Sequence, residues 1–523
     1  IVSMGGFLSG QEVFDPQING WYFENWGEEG ASCIGSCDFS WDLFKRTYLG
    51  IYPTKTCAAA PLDCAFYEIF KGCAKQGNCG GMSILALALF KYGGYLGYCS
   101  PANFYTGTDG PDREDLHRAL NIIQARQFSV SGITRFIDAV DRGTLNNAEA
   151  AFDNVKEQLG KGDYPVIWIA SDTIGGDAHT VIPYRVQQIG SQKIMYIWDP
   201  NNPYDDYPDR YNNNIENRLI INGPTSWSYN SGDPADPIVY SGGGWCLCVP
   251  MSDIMKKSRH PFAIDVAAEI LQTLFVGGPG AAVSQVTDDE GRRFYKNDND
   301  THTSWSEIET HPDKRLKGVV RWPWPGYKGK PPGELYFIRA PRGKIPNLKV
   351  TCSGKNYNVM FHSSGNLVEI KTISPGKTRD ILRFSKIASY EQSIEIKTSG
   401  NQREYDVKQL RTDITRKNYR SFHVKNLKID PNLPVVPITI DIVGDFEAVE
   451  VSAKERKINF QVDILQNREG KVTARQMKKL TTVPGKQLMI APQNWMKLDT
   501  TTLEKKTRIR LKKKKKQKPV LRQ

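Results

Sequence analysis

The 523-residue sequence predicts an α+β domain followed by β-sandwich-like modules. Helical patterns come first, and the clearest, over 147–160, places Ala148, Phe152 and Val155 on one face. Strand-like runs then follow between 165 and 249, and helices that precede an antiparallel sheet are typical of the α+β class. Beyond about residue 333, strand-like runs alternate with turns roughly every 8–12 residues, which favours β-sandwiches.

The chain is too long for a single hydrophobic core, since cores stop growing at roughly 250–300 residues. We therefore divide it into six segments: a lead-in at 1–60 that is irregular and packs on the next domain, the α+β domain at 61–257, a connector at 258–332, β-rich modules at 333–430 and 431–512, and a polybasic tail at 513–523.

Sequence periodicity predicts most elements of the α+β domain. Helices are expected at about 82–93, 112–125 and 147–160, and strands at 165–170, 179–186, 193–198 and 245–249. We expect one further helix in the connector, at about 262–275. Among the strands of the β-rich modules are 334–338, 367–373 and 438–443.

Charge is distributed unevenly along the chain. Residues 1–250 contain 17 Lys and Arg against 28 Asp and Glu, a net charge of −11, whereas 251–502 carry +13 and 503–523 carry +10. An acidic front half argues against nucleic acid as its substrate. The basic tail offers a contact for an anionic surface or polymer, and a disordered solubilising end is the alternative reading.

Nine of the ten cysteines precede residue 250, with irregular spacing and no paired CxxC, so we expect no zinc site, other metal or cofactor. If Cys79 stays free, eight others in this half could form disulfides, which favours an exported protein. Buried free thiols in a cytosolic enzyme are the alternative.

We expect no transmembrane helix, because the best apolar run, 263–286, contains Asp265 and Glu269.

The most informative motif is QGNCGGMS at residues 76–83, which leads into the apolar run 84–90. It places Cys79 in a glycine-rich turn at the start of a predicted helix. A helix N-terminus favours a thiolate, and its free N–H groups can hold an oxyanion. We expect the glycines to leave room for a substrate carbonyl. A structural cysteine in a turn is the alternative.

A thiolate nucleophile needs a base, and that base needs an orienting partner. His179 begins one predicted strand, and Asp199 ends the next. If the two strands form a hairpin around Gly190 and Ser191, the two side chains lie together. Asp199 could then accept a hydrogen bond from the imidazole and fix its tautomer.

These residues resemble the papain-like cysteine peptidases, and more closely their bacterial branches, such as the peptidases that cleave double-glycine leaders. The resemblance lies in residues 77–82, 178–181 and 196–201, and it covers about 60–255. It implies a papain-like domain that hydrolyses amide bonds of a peptide or protein through an acyl-enzyme. Cys79 would be the nucleophile, His179 the base and then the acid, and Asp199 the orienting carboxylate.

The sequence departs from the papain pattern before the nucleophile. Aligning Gln76 with the oxyanion-hole glutamine of that family would place Met82 at the nucleophile position, which would make the domain inactive. We prefer the register with Cys79 as nucleophile, because methionine cannot attack a carbonyl. Gln76 and Asn78 are then the oxyanion-hole candidates, and Asn201 is a secondary site residue.

Two other functions stay open at this point. One is a degenerate papain-like fold that acts as a binding or structural protein, and the other is a related Cys-His-Asp acyltransferase or deamidase. A disulfide at Cys79, or a large separation between Cys79 and His179, would exclude the enzyme.

Overall fold

The structure is a computed structural model, and it describes only part of the chain. The described residues are 13–26, 39–74, 77–98, 114–170, 178–204, 206, 208, 211, 217–231, 238–242, 244–255, 257–263, 271–277, 282–289, 291, 319–322, 333–339, 347–363, 365–374, 376, 378–387, 389, 391–400, 403–413, 418–429, 437–444, 446–455, 457–469, 471–495, 498 and 503–509. Gln76 and the predicted tail at 513–523 therefore lie outside the described residues.

Helices and an antiparallel sheet form the front part of the chain. The helices are Pro16–Asn19 (α1), Trp41–Thr47 (α2), Pro61–Ala74 (α3), Cys79–Tyr92 (α4), Glu114–Arg126 (α5), Val130–Asp141 (α6), Ala148–Gly160 (α7) and Met251–Met255 (α8). The strands are Pro165–Ala170 (β1), Ala178–Ile189 (β2), Gln192–Trp198 (β3), Arg218–Gly223 (β4), Ser226–Ser231 (β5), Ile238–Ser241 (β6) and Trp245–Pro250 (β7). They are ordered β6-β5-β4-β3-β2-β1-β7.

Strands dominate the rest of the chain. They are Leu271–Gly277 (β8), Ala282–Asp288 (β9), Val319–Trp322 (β10), Gly333–Arg339 (β11), Leu348–Gly354 (β12), Asn358–Ser363 (β13), Asn366–Ile373 (β14), Thr378–Ser385 (β15), Ser393–Gly400 (β16), Arg403–Thr412 (β17), Asn418–Ile429 (β18), Ile438–Val443 (β19), Ala448–Ala453 (β20), Asn459–Arg468 (β21), Lys471–Thr481 (β22), Lys486–Pro492 (β23) and Leu503–Ile509 (β24). The α+β class predicted from the sequence is confirmed at this level.

The chain divides into two compact units. The first comprises Ile1–Gly277, Glu290–Lys344 and Phe361–Gly365, and the second comprises Gly278–Asp289, Ile345–Met360 and Asn366–Gln523. In the first unit α4 is the central helix, because every residue from Cys79 to Leu89 is buried. A helix that is apolar all round must be covered on all sides, and α4 packs against α5 and β2.

The predicted amphipathic helix over 147–160 is present as α7. The Asn147 side chain caps it by accepting a hydrogen bond from the Ala150 N–H. Its apolar face packs on the sheet, where Phe152 and Val155 share a core cluster with Ile167 and residues of the neighbouring strands. This packing fixes the position of the sheet that carries the candidate site.

The predicted hairpin between β2 and β3 is also present. The two strands pair antiparallel from Ile182 opposite Trp198 to Ile189 opposite Gln192. Gly190 has a φ of +60°, the left-handed conformation that favours glycine in a tight turn.

Two other expectations are corrected. The helix expected at 262–275 is wrong over its last turn, where β8 begins at Leu271 and pairs antiparallel with β11. Residues 264–270 lie outside the described residues, whereas β8 contains Thr273, Phe275 and Val276, which fit a strand. The lead-in expected to be irregular contains α2, capped by the Ser40 side chain.

In the second unit the strands form the orders β14-β17-β18-β21-β22 and β24-β23-β20-β19-β16-β15-β12-β9. Strands on both sides of residue 431, our predicted module boundary, pair with one another: β16 with β19, and β18 with β21. The described strands therefore do not separate into two sets at that boundary. The sandwich arrangement itself stays a prediction. Within the described residues, no helix has the length and apolar content needed to cross a bilayer.

A buried ion pair links two sheets of the second unit. Arg403 on β17 and Asp380 on β15 have fully buried side chains and bond to each other. Arg403 also donates to the Gly354 carbonyl at 2.6 Å, and Tyr357 donates its hydroxyl proton to Asp380. A buried charge that loses its partner is costly, so this pair constrains how the two sheets align.

We expect Arg403→Met to lower the free energy of unfolding by about 3–5 kcal/mol, because it leaves the Asp380 charge buried without a counter-ion. Urea unfolding measures the change. The matched control is Arg383→Met, which removes a half-exposed pair with Asp289 and should cost no more than about 1 kcal/mol. Equal effects of the two substitutions would contradict this role for the buried pair.

Candidate active site

Cys79 is the first residue of α4, as predicted. Asn78 precedes it at the N-cap, and the Met82 N–H closes the first turn on the Asn78 carbonyl at 2.9 Å. Cys79 is 3 % exposed and is a free thiol, whereas Cys57 and Cys64 form a disulfide. Met82 lies one turn further on, fully buried, so Cys79 and not Met82 occupies the helix start.

The glycines of the motif serve packing and do not leave open space, contrary to expectation. A Cβ on Gly80 would lie 1.8 Å from Nε2 of Gln127, and one on Gly81 would lie 2.5 Å from the Leu120 carbonyl oxygen. Gly77 has a φ of +140°, which a side chain rarely adopts. These glycines let the start of α4 approach α5 and the residues that follow it.

Buried glutamines connect the start of α4 to the strand that carries His179. The Gly81 N–H donates to Oε1 of Gln124 at 2.7 Å, and Gln127 donates to the same oxygen at 3.0 Å. Oε1 of Gln127 accepts from the Thr180 hydroxyl at 3.0 Å, and Thr180 follows His179 directly. The sequence analysis missed these glutamines, because nothing in their spacing points to the site.

His179 lies at the second position of β2, opposite Ile169 of β1. Its ring is buried, with the residue 5 % exposed, and lies nearly parallel to the Tyr240 ring at a centroid distance of 6.2 Å. Nε2 is 2.7 Å from Oδ1 of Asp199. The hairpin therefore brings His179 and Asp199 together as the sequence predicted.

Asp199 follows β3 and is completely buried. Its Oδ2 accepts the Tyr229 hydroxyl at 2.5 Å and the Ser231 hydroxyl at 2.6 Å, and its Oδ1 accepts the Asn201 N–H at 2.8 Å. Tyr229 and Ser231 were not predicted. A signal existed, because they alternate as buried residues on β5, but the sequence does not show that β5 lies beside the end of β3.

The pKa of His179 is raised and the pKa of Asp199 is lowered. Burial alone lowers the pKa of His179, but the Asp199 charge and hydrogen bond, together with the interaction with the Cys79 thiol, outweigh burial and raise it to about 10. Burial raises the pKa of Asp199, but the His179 charge and hydrogen bonds, with those from Ser231 and Tyr229, hold it below its usual value. The pair is therefore an imidazolium and a carboxylate near neutral pH.

The remaining ring nitrogen of His179 is available to Cys79. Because Nε2 faces Asp199, only Nδ1 is left, and the thiol is among the groups that raise the His179 pKa. The structure thus groups Cys79, His179 and Asp199, the three residues predicted as a triad. Their catalytic role is a separate question.

Of the two oxyanion-hole candidates, Gln76 and Asn78, the structure describes only Asn78. Gln76 lies outside the described residues. Asn78 is 2 % exposed, and its Oδ1 has no hydrogen-bond partner among the described residues. Its backbone N–H donates to Oδ1 of Asn25 at 2.8 Å. Asn201, the secondary candidate, contacts Asp199 through its backbone.

Comparison with known proteins identifies no relative of this chain. No protein-family model matches the chain, and no curated protein or solved structure matches it either. The resemblance to papain-like peptidases therefore stays a prediction, and the chemistry of the site is inferred from its geometry.

We expect His179 to titrate near pH 10. Asp199→Asn should lower the pKa of His179 strongly, because the Asp199 charge no longer counteracts the effect of burial. The raised pKa means that the His179 contribution to stability is complete below pH 6.5 and is lost as the pH rises through about 10. The Asp199 contribution is present above its ordinary pKa of 3.8 and is lost as the pH falls through its lowered value. NMR titration of carbon-13-labelled histidine measures the pKa.

The control for this titration is Asp153→Asn, which removes an exposed carboxylate paired with Lys193 and should leave His179 unchanged. A wild-type His179 that titrates at its ordinary value would contradict the ion pair.

We expect Gly80→Ala to lower the free energy of unfolding by about 1–3 kcal/mol or more, because its methyl group overlaps the buried Gln127 amide. Gly160→Ala at the end of α7 is the control, since nothing lies within 4 Å of its Cβ position. Helix propensity predicts that this control is neutral or stabilising by up to about 1 kcal/mol. Urea unfolding of both variants compares them, and an equally stable Gly80→Ala would show that the glycine is not needed for packing.

Proposed function

We propose that this chain is a thiol-dependent hydrolase, a cysteine peptidase that cleaves amide bonds in a peptide or protein through Cys79, His179 and Asp199. The observation that carries the proposal is the His179 imidazole, which interacts with the Cys79 thiol and has its other nitrogen 2.7 Å from a fully buried carboxylate. Nucleophile, base and orienting group are thus arranged in the order that acyl transfer requires.

The reaction follows from these positions. The Cys79 thiolate attacks the carbonyl carbon, and His179 donates its Nδ1 proton to the leaving amine as the C–N bond breaks. A water molecule then attacks the thioester, giving its proton to His179, and the C–S bond breaks to return the thiolate. Asp199 keeps the His179 ring oriented in both protonation states, because its own hydrogen bonds hold the carboxylate ionised.

The start of α4 supports the charge that develops. N–H groups there can donate to the tetrahedral oxyanion, whereas the Gly81 N–H is already used by Gln124.

A second candidate function is a non-catalytic binding or structural role. The observation in its favour is burial: Cys79 is 3 % and His179 is 5 % exposed, so a substrate must displace neighbouring groups to reach the sulfur. Acyl transfer and deamidation use the same three residues and differ only in the acceptor or the amide attacked.

We expect iodoacetamide at neutral pH to alkylate Cys79 selectively, and Cys79→Ala to abolish cleavage of a mixed peptide library, because no other group replaces the thiolate. Peptide mass mapping locates the label, and mass spectrometry of the library follows cleavage. Cys246→Ala is the matched control, since Cys246 is a buried free thiol whose pKa burial raises far above its usual value.

The outcomes separate the candidates. Unchanged cleavage by Cys79→Ala would exclude the proposed nucleophile. Selective labelling of Cys79 without cleavage of any peptide would favour the non-catalytic role. Formation of new amide bonds with added amines would indicate an acyltransferase.

A further inference from the structure

We propose that Asn25 and Asn201 are positioning residues that tie the turn before the nucleophile to the carboxylate behind the base, through a continuous chain of four hydrogen bonds. The inference rests on the proposed roles of Cys79, His179 and Asp199. Neither asparagine touches the sulfur in any described contact, so both would act through the groups they hold.

The four links run without a gap. The Asn78 N–H donates to Oδ1 of Asn25 at 2.8 Å, and Nδ2 of Asn25 donates to Oδ1 of Asn201 at 3.0 Å. Nδ2 of Asn201 then donates to the Ser231 hydroxyl at 3.1 Å, and that hydroxyl donates to Oδ2 of Asp199 at 2.6 Å. The other carboxylate oxygen of Asp199 contacts His179.

The direction of the chain is fixed from both ends. The backbone N–H of Asn78 can only donate, so Asn25 must present its oxygen there and its NH₂ group to Asn201. The ionised Asp199 can only accept, so the Ser231 proton points to it and Ser231 must accept from the NH₂ group of Asn201. The two ends require the same orientation of both amides, so every donor meets an acceptor.

Backbone hydrogen bonds hold both asparagines in place. The Asn25 N–H donates to the Pro200 carbonyl at 2.8 Å, and the Asn201 N–H donates to Oδ1 of Asp199 at 2.8 Å. Nearby, the Trp21 ring donates to the Met82 carbonyl of α4 at 2.9 Å. The segment 13–26 is thus bonded to both halves of the site, although Asn25 and Asn201 are 176 residues apart.

The chain has an electrostatic consequence as well as a geometric one. Hydrogen bonds in series polarise one another, so the upstream links strengthen the donation from Ser231 to Asp199. This donation stabilises the carboxylate, and the carboxylate stabilises the imidazolium of His179. Among the described residues, Asp199 and Cys79 are the titratable groups that raise the pKa of that ring, and the Tyr240 ring stacks on it.

The test uses the full chain with Asn25→Ala, Asn201→Ala and the double variant. We expect each single substitution to slow iodoacetamide alkylation of Cys79 by about tenfold and to lower the pKa of His179, because either one interrupts the chain. The double variant should be slowed by about the same tenfold, since a chain that is already broken loses little more. Alkylation kinetics and NMR titration measure the two effects.

The control is Asn222→Ala, which removes an exposed asparagine on the same sheet that accepts a hydrogen bond from Gln192 at 3.0 Å. Its alkylation rate at Cys79 and its His179 pKa should both match those of the wild type. A loss of stability alone, with unchanged alkylation and an unchanged His179 pKa, would overturn the proposal. So would a double variant slowed by the product of the single effects, about a hundredfold. If the wild-type protein cleaves no peptide, the proposed function fails. The His179 titration still decides whether the hydrogen-bond chain changes the pKa of His179.

Discussion

The ion pair between His179 and Asp199 constrains how the elements around the candidate site in the first unit pack. Both groups are charged and buried, and the free energy of removing two charges from water is recovered only when every remaining lone pair and proton has a partner. The structure meets this requirement for Asp199 with donors from Tyr229, Ser231 and Asn201. Strand β5 and the segment after β3 must therefore lie close to the hairpin, and this fixes the sheet on that side.

A second set of hydrogen bonds positions the start of helix α4. Its first turn carries Cys79, is buried from the start and has no side-chain cap at Asn78. Polar groups of other segments replace that cap: Gln124 accepts from Gly81, and Asn25 accepts from the Asn78 N–H. The glycines allow these segments to come close enough, so their absence of side chains is a packing requirement.

Under the proposed function, activity and stability depend on the same polar groups. A hydrophobic interior would cover α4 equally well, but it would not orient an imidazole or keep a carboxylate ionised. Cys79 is buried together with Gln124 and Gln127, which form hydrogen bonds near the start of α4. The candidate site is buried in this structure, which is why labelling and cleavage must be measured separately.

Local sequence was sufficient for several elements of the first unit and for the choice of the three candidate residues. Apolar periodicity located α4, α7 and the strands β1 to β3, and the short turn at Gly190 made a hairpin the natural connection, which placed His179 beside Asp199. These features depend on residues close together in sequence, where periodicity and turn chemistry act directly.

Only the tertiary structure decided how the site is supported. Asn25, Gln127, Tyr229 and Ser231 come from three separate segments, and no local pattern marks an asparagine or a serine as the partner of a distant carboxylate. The error at 271–275 has a similar origin, since these residues form a strand that pairs with β11, more than 60 residues further along the chain. Sequence alone singled out Cys79, His179 and Asp199 as candidates, whereas the long-range hydrogen bonds around them exist only once the chain is folded.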